Sequence, residues 1–187
     1  LYQSYQAVHP DAVSTHFSEK QHCAFALCTA SSRLFLLYLH QKQYEPAQDI
    51  LRDCFALLSP YSSSAAPAEQ KLLAALYNHL GALRKQQGEY AEAEQAFVRA
   101  VSIYQDLPQP LRNNGDILHC QSNNLAFLTD LCAKQGRLSD ALAHCIKNIA
   151  ACEKLAALTQ EIDDRRMLSV AYAQAAGLHQ KNRNLSA

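Results

Sequence analysis

Apolar residues recur every three or four positions along most of the chain, which is the spacing of one buried face on an α-helix. The clearest case is the segment 72–83, whose leucines fall on one side of a helix. Ser/Ala/Pro-rich or Asn/Gly/Pro-containing stretches at 59–66 and 107–116 interrupt the pattern. The pattern predicts long helices at about 18–42, 44–58, 67–87, 90–106, 117–135, 138–157 and 160–182.

A second pattern repeats over a much longer interval. A Gly, an apolar residue two positions later and an Ala three positions after that begin at Gly88 and return at Gly136. Two amphipathic helices joined by so short a turn pack antiparallel, and stacking the next hairpin covers the apolar surface that is left. The residues that open the successive second helices stand 46, 48 and 47 positions apart: Tyr44, Tyr90, Leu138 and Leu185.

The second of these hairpins resembles the tetratricopeptide repeat (TPR) family, whose pattern is W-x2-L-G-x2-Y followed by A-x3-F. The sequence departs from this pattern at Arg84, where an aromatic residue is usual, and it contains no Trp. Its period near 47 exceeds the standard 34, so the resemblance is to a long-repeat variant. The residues that carry the resemblance are Tyr77, Leu80, Gly81, Ala93 and Phe97.

The resemblance implies an all-α fold, a right-handed superhelical stack of antiparallel helix hairpins with about seven long helices plus an N-terminal segment. In this TPR-like solenoid, residues 1–17 form an N-terminal cap or the end of a preceding helix, and residues 18–187 form the array. We expect the sequence to be an excerpt of a longer array rather than to end on a capping helix. The expected repeats are 18–59, 66–106, 112–157 and an incomplete 160–187.

Charge and hydropathy narrow the classes of partner. Lys and Arg total 17, equal to Asp and Glu, and no basic run is present, which argues against nucleic-acid binding and against a helix lying on a membrane surface. No stretch approaches 18 uncharged apolar residues, so we expect no membrane-spanning helix. The seven Cys are dispersed and mostly at apolar helix positions, which is typical of reduced core thiols in a cytoplasmic protein.

Candidate chemistry is sparse. Zinc sites favour two closely spaced ligand pairs. Cys23 and Cys28 reach this spacing only at its edge and have no matching second pair, and Cys145 and Cys152, seven positions apart, share a helix face as core residues do. Glycine-rich phosphate loops and nucleophile turns are also missing from the sequence. We therefore expect no metal, no cofactor and no catalytic residues, and interpret the chain as a non-enzyme.

Function is inferred from the resemblance, because the first helix of each TPR hairpin lines a concave groove. The carboxylate clamp that binds Hsp tails is not expected, since Phe127 and Ser32 stand where basic or polar residues are needed. The expected function is a non-catalytic protein–protein interaction module, an adaptor or scaffold that binds a peptide or helix of a protein partner. The expected groove residues are Ser32, Leu36, His40, Asn78, Lys85, Asn123, Asp130 and Lys134.

Three alternatives stay open at this stage. The chain could be a ligand- or peptide-sensing TPR domain of a bacterial signalling or transcription regulator. The groove could instead be filled by the chain's own residues 1–16, which would meet Leu36 and Leu39. Self-association could also occur through the open C-terminal end of the array.

Overall fold

A computed structural model of the chain describes residues 10–61 and 66–185, and the regular structure within those ranges is entirely helical. The predicted all-α class is therefore confirmed. Seven long helices and one short helix are described. They are α1 (Pro10–His40), α2 (Tyr44–Leu58), a 3-10 turn (Ser59–Tyr61), α3 (Pro67–Gln87), α4 (Tyr90–Asp106), the short α5 (Gln109–Arg112), α6 (Gly115–Lys134), α7 (Leu138–Thr159) and α8 (Ile162–Leu185).

Both ends of the helical region differ from the sequence-based prediction. Helix α1 begins at Pro10 rather than near Ser18, and a proline is well tolerated in the first helical turn because its missing amide has no helical partner there. Residues 1–9 of the predicted N-terminal segment lie outside the described residues. The prediction that Leu185 opens another second helix is wrong, because α8 continues to that residue. Arg183 stands 47 positions after Gly136, so no glycine is present there to end the helix.

The three hairpins turn through the same type of helix cap. Lys42, Gly88 and Gly136 have left-handed backbones, with φ of 58°, 83° and 76°. In each turn the following amide donates a hydrogen bond to the carbonyl five residues earlier, which is the bond of a Schellman cap. The three bonds, each 2.9 Å long, run from Gln43 to Tyr38, from Glu89 to Arg84 and from Arg137 to Cys132.

The two helices of each hairpin meet at equivalent positions, 14 residues before and 12 residues after the left-handed residue. Small side chains at these positions allow the helices to approach closely. The first hairpin has the thiol of Cys28 at 3.8 Å from the carbonyl of Cys54. The corresponding pairs are Ala74 with Ala100, in one buried cluster, and Ser122 with Asn148, joined by a 2.7 Å hydrogen bond.

The chain divides into two compact units, Leu1–Leu72 and Leu73–Ala187. In the first unit α1 packs against α2 around Phe35 and Leu51, both fully or almost fully buried. The amide of Gln21 also donates a 2.8 Å hydrogen bond to Glu69 at the start of α3. In the second unit α4 packs on α6, α6 on α7 and α7 on α8.

Helix α1 needs a correction to the expectation that no membrane span is present. Its segment Glu19–His40 has a mean hydropathy of 1.3 and is long and apolar enough to cross a membrane, judged by length and composition alone. The core helix of a soluble protein passes the same test, and 28% of this window is buried. Length and composition therefore do not exclude a membrane span for this helix.

Candidate functional site

The first helices of successive hairpins share one face in the second unit. The ammonium group of Lys85 on α3 lies 3.7 Å from the ring centroid of Phe127 on α6. One turn further along α6, Asp130 accepts a 2.5 Å hydrogen bond from the side-chain amide of Gln174 on α8. These two contacts place α3, α6 and α8 side by side. We call this surface the first-helix face, and by helical spacing it comprises Asn78, Lys85, Asn123, Phe127, Asp130, Lys134, Gln174 and Lys181.

The ring of Phe127 is held in place by its contact with a buried aromatic ring of α4. Its ring stacks on Phe97 of α4, with centroids 5.3 Å apart and an interplanar angle of 26°. Phe97 is itself buried against Gly81, where an added Cβ would lie only 2.7 Å from the ring. Gly81 therefore lets α3 and α4 approach closely. The Phe97 ring packed against it contacts Phe127, and Phe127 in turn contacts Lys85.

Charged groups of both signs interact on the first-helix face. The pKa of Lys85 is lowered, first by its partial burial and further by the neighbouring positive charge of Lys134, while Asp130 acts in the opposite direction. Asp130 thus acts electrostatically on Lys85, and its carboxylate also accepts the hydrogen bond from Gln174. The arrangement presents an aromatic ring, two cations and amide groups, which together suit a peptide carrying both apolar and acidic side chains.

The amide residues predicted for the groove lie on the same surface. Asn78 is half-buried on α3, and Asn123 is half-buried on α6. The amide nitrogen of Asn123 lies 3.1 Å from Nδ1 of His119, one turn earlier on the same helix. The structure therefore brings five of the predicted residues together on one unit: Asn78, Lys85, Asn123, Asp130 and Lys134.

The other three predicted residues belong to the first unit. Ser32 donates a 3.0 Å hydrogen bond to the carbonyl of Cys28 on its own helix, which uses its hydroxyl locally. Leu36 and His40 are exposed on α1. Sequence reasoning missed Phe127 and Gln174 as members of the face, although the helical spacing between Asn123 and Phe127 was a usable signal.

Arg84, which replaces the usual aromatic residue of the TPR pattern, forms two ion pairs across the turn of the second hairpin. Its guanidinium lies 2.6 Å from the carboxylate of Glu89 and 3.0 Å from that of Glu92, so it ties the end of α3 to the start of α4. In the third hairpin Arg137 makes comparable contacts, 2.5 Å from Glu94 and 3.1 Å from Asp140. Arg84 therefore anchors the second hairpin where the family pattern has an aromatic ring. The equivalent residue of the third hairpin is the buried Cys132, and Arg137 instead joins the start of α7 to α4.

A cleft opens beside the N-terminal ends of α6 and α8. It encloses about 610 Å³, and Asp164 at its edge accepts a 2.5 Å hydrogen bond from Thr159. Its lining is rich in carboxylates, so it favours a cation or an amine over an anion. The lining includes Asn114, Asp116, His119, Glu161, Asp163 and Asp164.

The buried thiols are chemically quiet. Burial raises the pKa of Cys28 to about 12, and it also raises the pKa of Cys132 and Cys145. A thiolate is the reactive form of cysteine, so these groups lack the lowered pKa that a nucleophile needs. Across residues 10–61 and 66–185 no group of three or more His, Cys, Asp or Glu side chains could hold a metal ion.

Comparison with known families identifies part of this region. Residues 73–107, which contain most of α3 and all of α4, match the family model described as a tetratricopeptide repeat. No curated protein matches the chain. The predicted repeat is thus confirmed for this segment; it suggests a protein–protein interaction module, and its family is generally non-catalytic.

Proposed function

Starting from a tetratricopeptide repeat at residues 73–107, we propose that the chain binds a peptide or helix of a protein partner on the first-helix face. The observation that carries the proposal is the contact of Lys85 with Phe127, because it joins α3 and α6 into one mixed apolar and charged surface. The ring of Phe127 is already held by its stacking on Phe97, so this part of the surface is preorganised. Binding on a preorganised surface avoids part of the ordering cost of association.

The chemistry of the face indicates what it binds. The Phe127 ring offers apolar contact, while Lys85 and Lys134 offer charge-assisted hydrogen bonds to carboxylates. Asn78 and Asn123 supply amide groups that can pair with the backbone of an extended peptide. We propose a partner segment with an apolar side chain flanked by acidic residues, and a cytoplasmic location in keeping with seven cysteines that form no disulfide.

The experiment is affinity capture from the native cell extract with quantitative mass spectrometry. The chain is compared with a face variant, Asn78→Ala/Lys85→Ala/Asn123→Ala. A matched control, Gln95→Ala/Gln105→Ala/Lys147→Ala, removes two amides and one lysine from exposed positions of the second helices α4 and α7. Circular dichroism verifies that all three proteins are equally helical.

We expect one set of proteins to be captured by the wild type and by the control variant, and to fall at least about tenfold with the face variant, which corresponds to about 1.4 kcal/mol. Equal capture by all three proteins would contradict binding on this face. Loss of the same set from the control variant alone would place the binding surface on the second helices instead.

Ligand sensing is the second candidate, and the carboxylate-rich cleft of about 610 Å³ favours it. A cleft of this volume is within the range of small-molecule sites, and its acidic lining suits an organic amine. Native mass spectrometry of the purified chain would show a bound amine that a Glu161→Gln/Asp163→Asn variant no longer retains. The absence of added mass in the wild type would count against sensing in this cleft.

A further inference from the structure

A stripe of apolar residues on α1 remains exposed, although it has the pattern of a buried helix interface. The exposed fractions of Leu27, Leu34 and Leu37 are 59%, 44% and 52%. Cys23 and Ala30 complete the stripe and are also exposed. The spacings of 4, 3, 4 and 3 residues are those of the a and d positions of a coiled coil, whose seam packs against one other helix.

In the third hairpin the equivalent stripe, on α6, is buried against another helix. The residues on α6 at the same distances from the left-handed turn residue are Ile117, Gln121, Asn124, Leu128 and Leu131, and all are buried. Ile117 lies in a core cluster with Tyr104, and Leu128 lies in one with Phe97, both on α4. The α6 stripe is therefore occupied by a helix of another hairpin. The more apolar stripe on α1 has the same geometry and lacks that cover in the described part of the chain.

We propose that the α1 stripe is the interface of a homodimer, in which α1 of one copy packs antiparallel against α1 of a second copy. The stripe is self-complementary about Ala30 under a two-fold axis. Leu27 of one copy then meets Leu34 of the other, and Cys23 meets Leu37. A contact of this kind uses the same patch on both copies and closes without leading to filaments.

The charges at the two ends of the stripe select the antiparallel arrangement. Glu19 lies at the beginning of the stripe, and His40 and Lys42 lie at its end. In an antiparallel pair Glu19 faces His40 and Lys42 of the second copy. A parallel pair would set Glu19 against Glu19 and Lys42 against Lys42, and such like-charge pairs are unfavourable.

A groove beside the stripe receives the partner's side chain. It encloses about 470 Å³, and its lining includes Cys23, Ala24, Leu27, Leu57 and Tyr61 from α1, α2 and the 3-10 turn. In the antiparallel register Leu37 of the second copy lies opposite Cys23, at the mouth of this groove. The two copies of Leu37 thus fill two equivalent grooves.

A second copy fits α1 better than a lipid bilayer does. A membrane-spanning helix is apolar on all sides, or it buries its polar groups within the protein. Helix α1 already buries one side against α2, through residues such as Phe35 and Leu39, and only its outer side is available. A one-sided stripe suits a partner helix.

Analytical ultracentrifugation over about 1–200 µM tests the dimer, a range that brackets the micromolar affinities of modest interfaces. The mass of the wild type should rise from 20.8 kDa towards twice that value. A Leu27→Glu/Leu34→Glu variant should stay at the monomer mass with unchanged helicity. The matched control, Ile146→Glu/Leu158→Glu, places the same charges at exposed apolar positions of α7 and should dimerise like the wild type.

A monomeric wild type at every concentration would overturn the proposal, as would a dimer that survives the Leu27→Glu/Leu34→Glu substitutions. Co-sedimentation with neutral phosphatidylcholine vesicles forms a separate arm. Binding of the monomer to vesicles that is lost in the stripe variant would also overturn the proposal, in favour of a lipid surface.

Disulfide trapping tests the antiparallel register. Oxidised glutathione accepts the electrons as two thiols lose their protons and join, yielding one protein disulfide and two molecules of glutathione. The Leu37→Cys variant should form a covalent dimer through Cys23 of the other copy, and adding Cys23→Ser should abolish it. The wild type should not cross-link, because the two Cys23 residues lie about 21 Å apart along the helix pair. Cross-linking of the wild type through Cys23 would contradict the antiparallel arrangement.

Discussion

Replacement of Gly81 by leucine probes the contact that supports the first-helix face. A Cβ at this position would lie 2.7 Å from two ring carbons of Phe97 and 2.9 Å from a third. The ring is 1% exposed and stacked on Phe127, so it has no free space into which to move. Protein interiors are close-packed, and an added side chain must displace the ring or separate the helices.

The magnitude follows from two opposing terms. Overpacking costs about 1–3 kcal/mol for a few added methylenes, and leucine adds four carbons. Removing a glycine from a helix interior returns about 1 kcal/mol. Because leucine adds four carbons, we take the upper end of the overpacking cost and expect a net loss of about 2 kcal/mol, which lowers the melting temperature by about 4–8 °C for a chain of this length. Urea and thermal denaturation measure the change.

Gly177 provides a matched control, because it is also a helical glycine but an added Cβ meets nothing within 4 Å. Gly177→Leu should therefore leave the chain as stable or raise its stability by about 1 kcal/mol. If Gly81→Leu changes the melting temperature no more than Gly177→Leu does, the described crossing of α3 and α4 is wrong.

A compensating exchange makes the test sharper. The pair Gly81 and Phe97 corresponds to Phe35 and Leu51 in the first hairpin and to Thr129 and Cys145 in the third. Each pair is buried. Installing the third pair in the second hairpin, as Gly81→Thr/Phe97→Cys, should cost less than the sum of its single substitutions. A coupling of about 1–2 kcal/mol is expected for residues in direct contact, whereas strict additivity would argue against the contact.

Three further predictions concern other positions. Lys42→Gly should raise the free energy of unfolding by about 0.5–1 kcal/mol, because a φ of 58° is unfavourable for a residue with a side chain and glycine stands at this position in the other two turns. A lower urea midpoint for the variant than for the wild type would contradict this prediction. Burial lowers the pKa of His79 from 6.5 to about 4, so the folded state resists protonation more than the unfolded state does. The contribution of neutral His79 to the free energy of unfolding is complete above about pH 6.5, and up to about 3 kcal/mol of it is lost as the pH falls towards 4. The His79→Gln variant should therefore lose less stability over this range than the wild type. If the stability of both proteins falls equally with pH, the assignment to His79 is refuted. Asn124 is fully buried, and its side-chain amide has no hydrogen-bond partner among the described residues. Asn124→Leu should therefore raise the melting temperature by about 2–4 °C. A clear drop in the melting temperature would instead show that Asn124 makes an essential polar contact.

Much of the fold could be predicted because local signals coincide with the tertiary contacts. Gly88 and Gly136 mark turns that require a left-handed residue, and Ala93 and Ala141 mark the close approach of the second helices. Lys42 gives no such signal, but the spacing of the apolar residues that follow it predicts the same turn. Pro10 and Asp11 are typical of a turn or helix start, but the long helix was predicted to begin near Ser18 because Ser18 and Glu19 also form a plausible helix start.

The site was less predictable, because exposure depends on which helices cover one another. Leu27, Leu34 and Leu37 have the spacing of core residues, and only the structure shows that they are exposed. Phe127 was considered only as an obstacle to a carboxylate clamp, whereas its contacts with Lys85 and Phe97 make it the centre of the first-helix face. Sequence periodicity predicts which side of a helix is apolar, but it does not indicate what covers that side.

Lysine footprinting tests the central claim most directly. The chain is treated with an acetylating reagent, with and without a protein captured by the wild type, and the modification rate of each lysine is read by mass spectrometry. Binding on the first-helix face predicts that Lys85 and Lys134 become protected, while Lys147 and Lys154, exposed on α7, react at unchanged rates. Protection of Lys147 and Lys154 with no change at Lys85 and Lys134 would contradict the account.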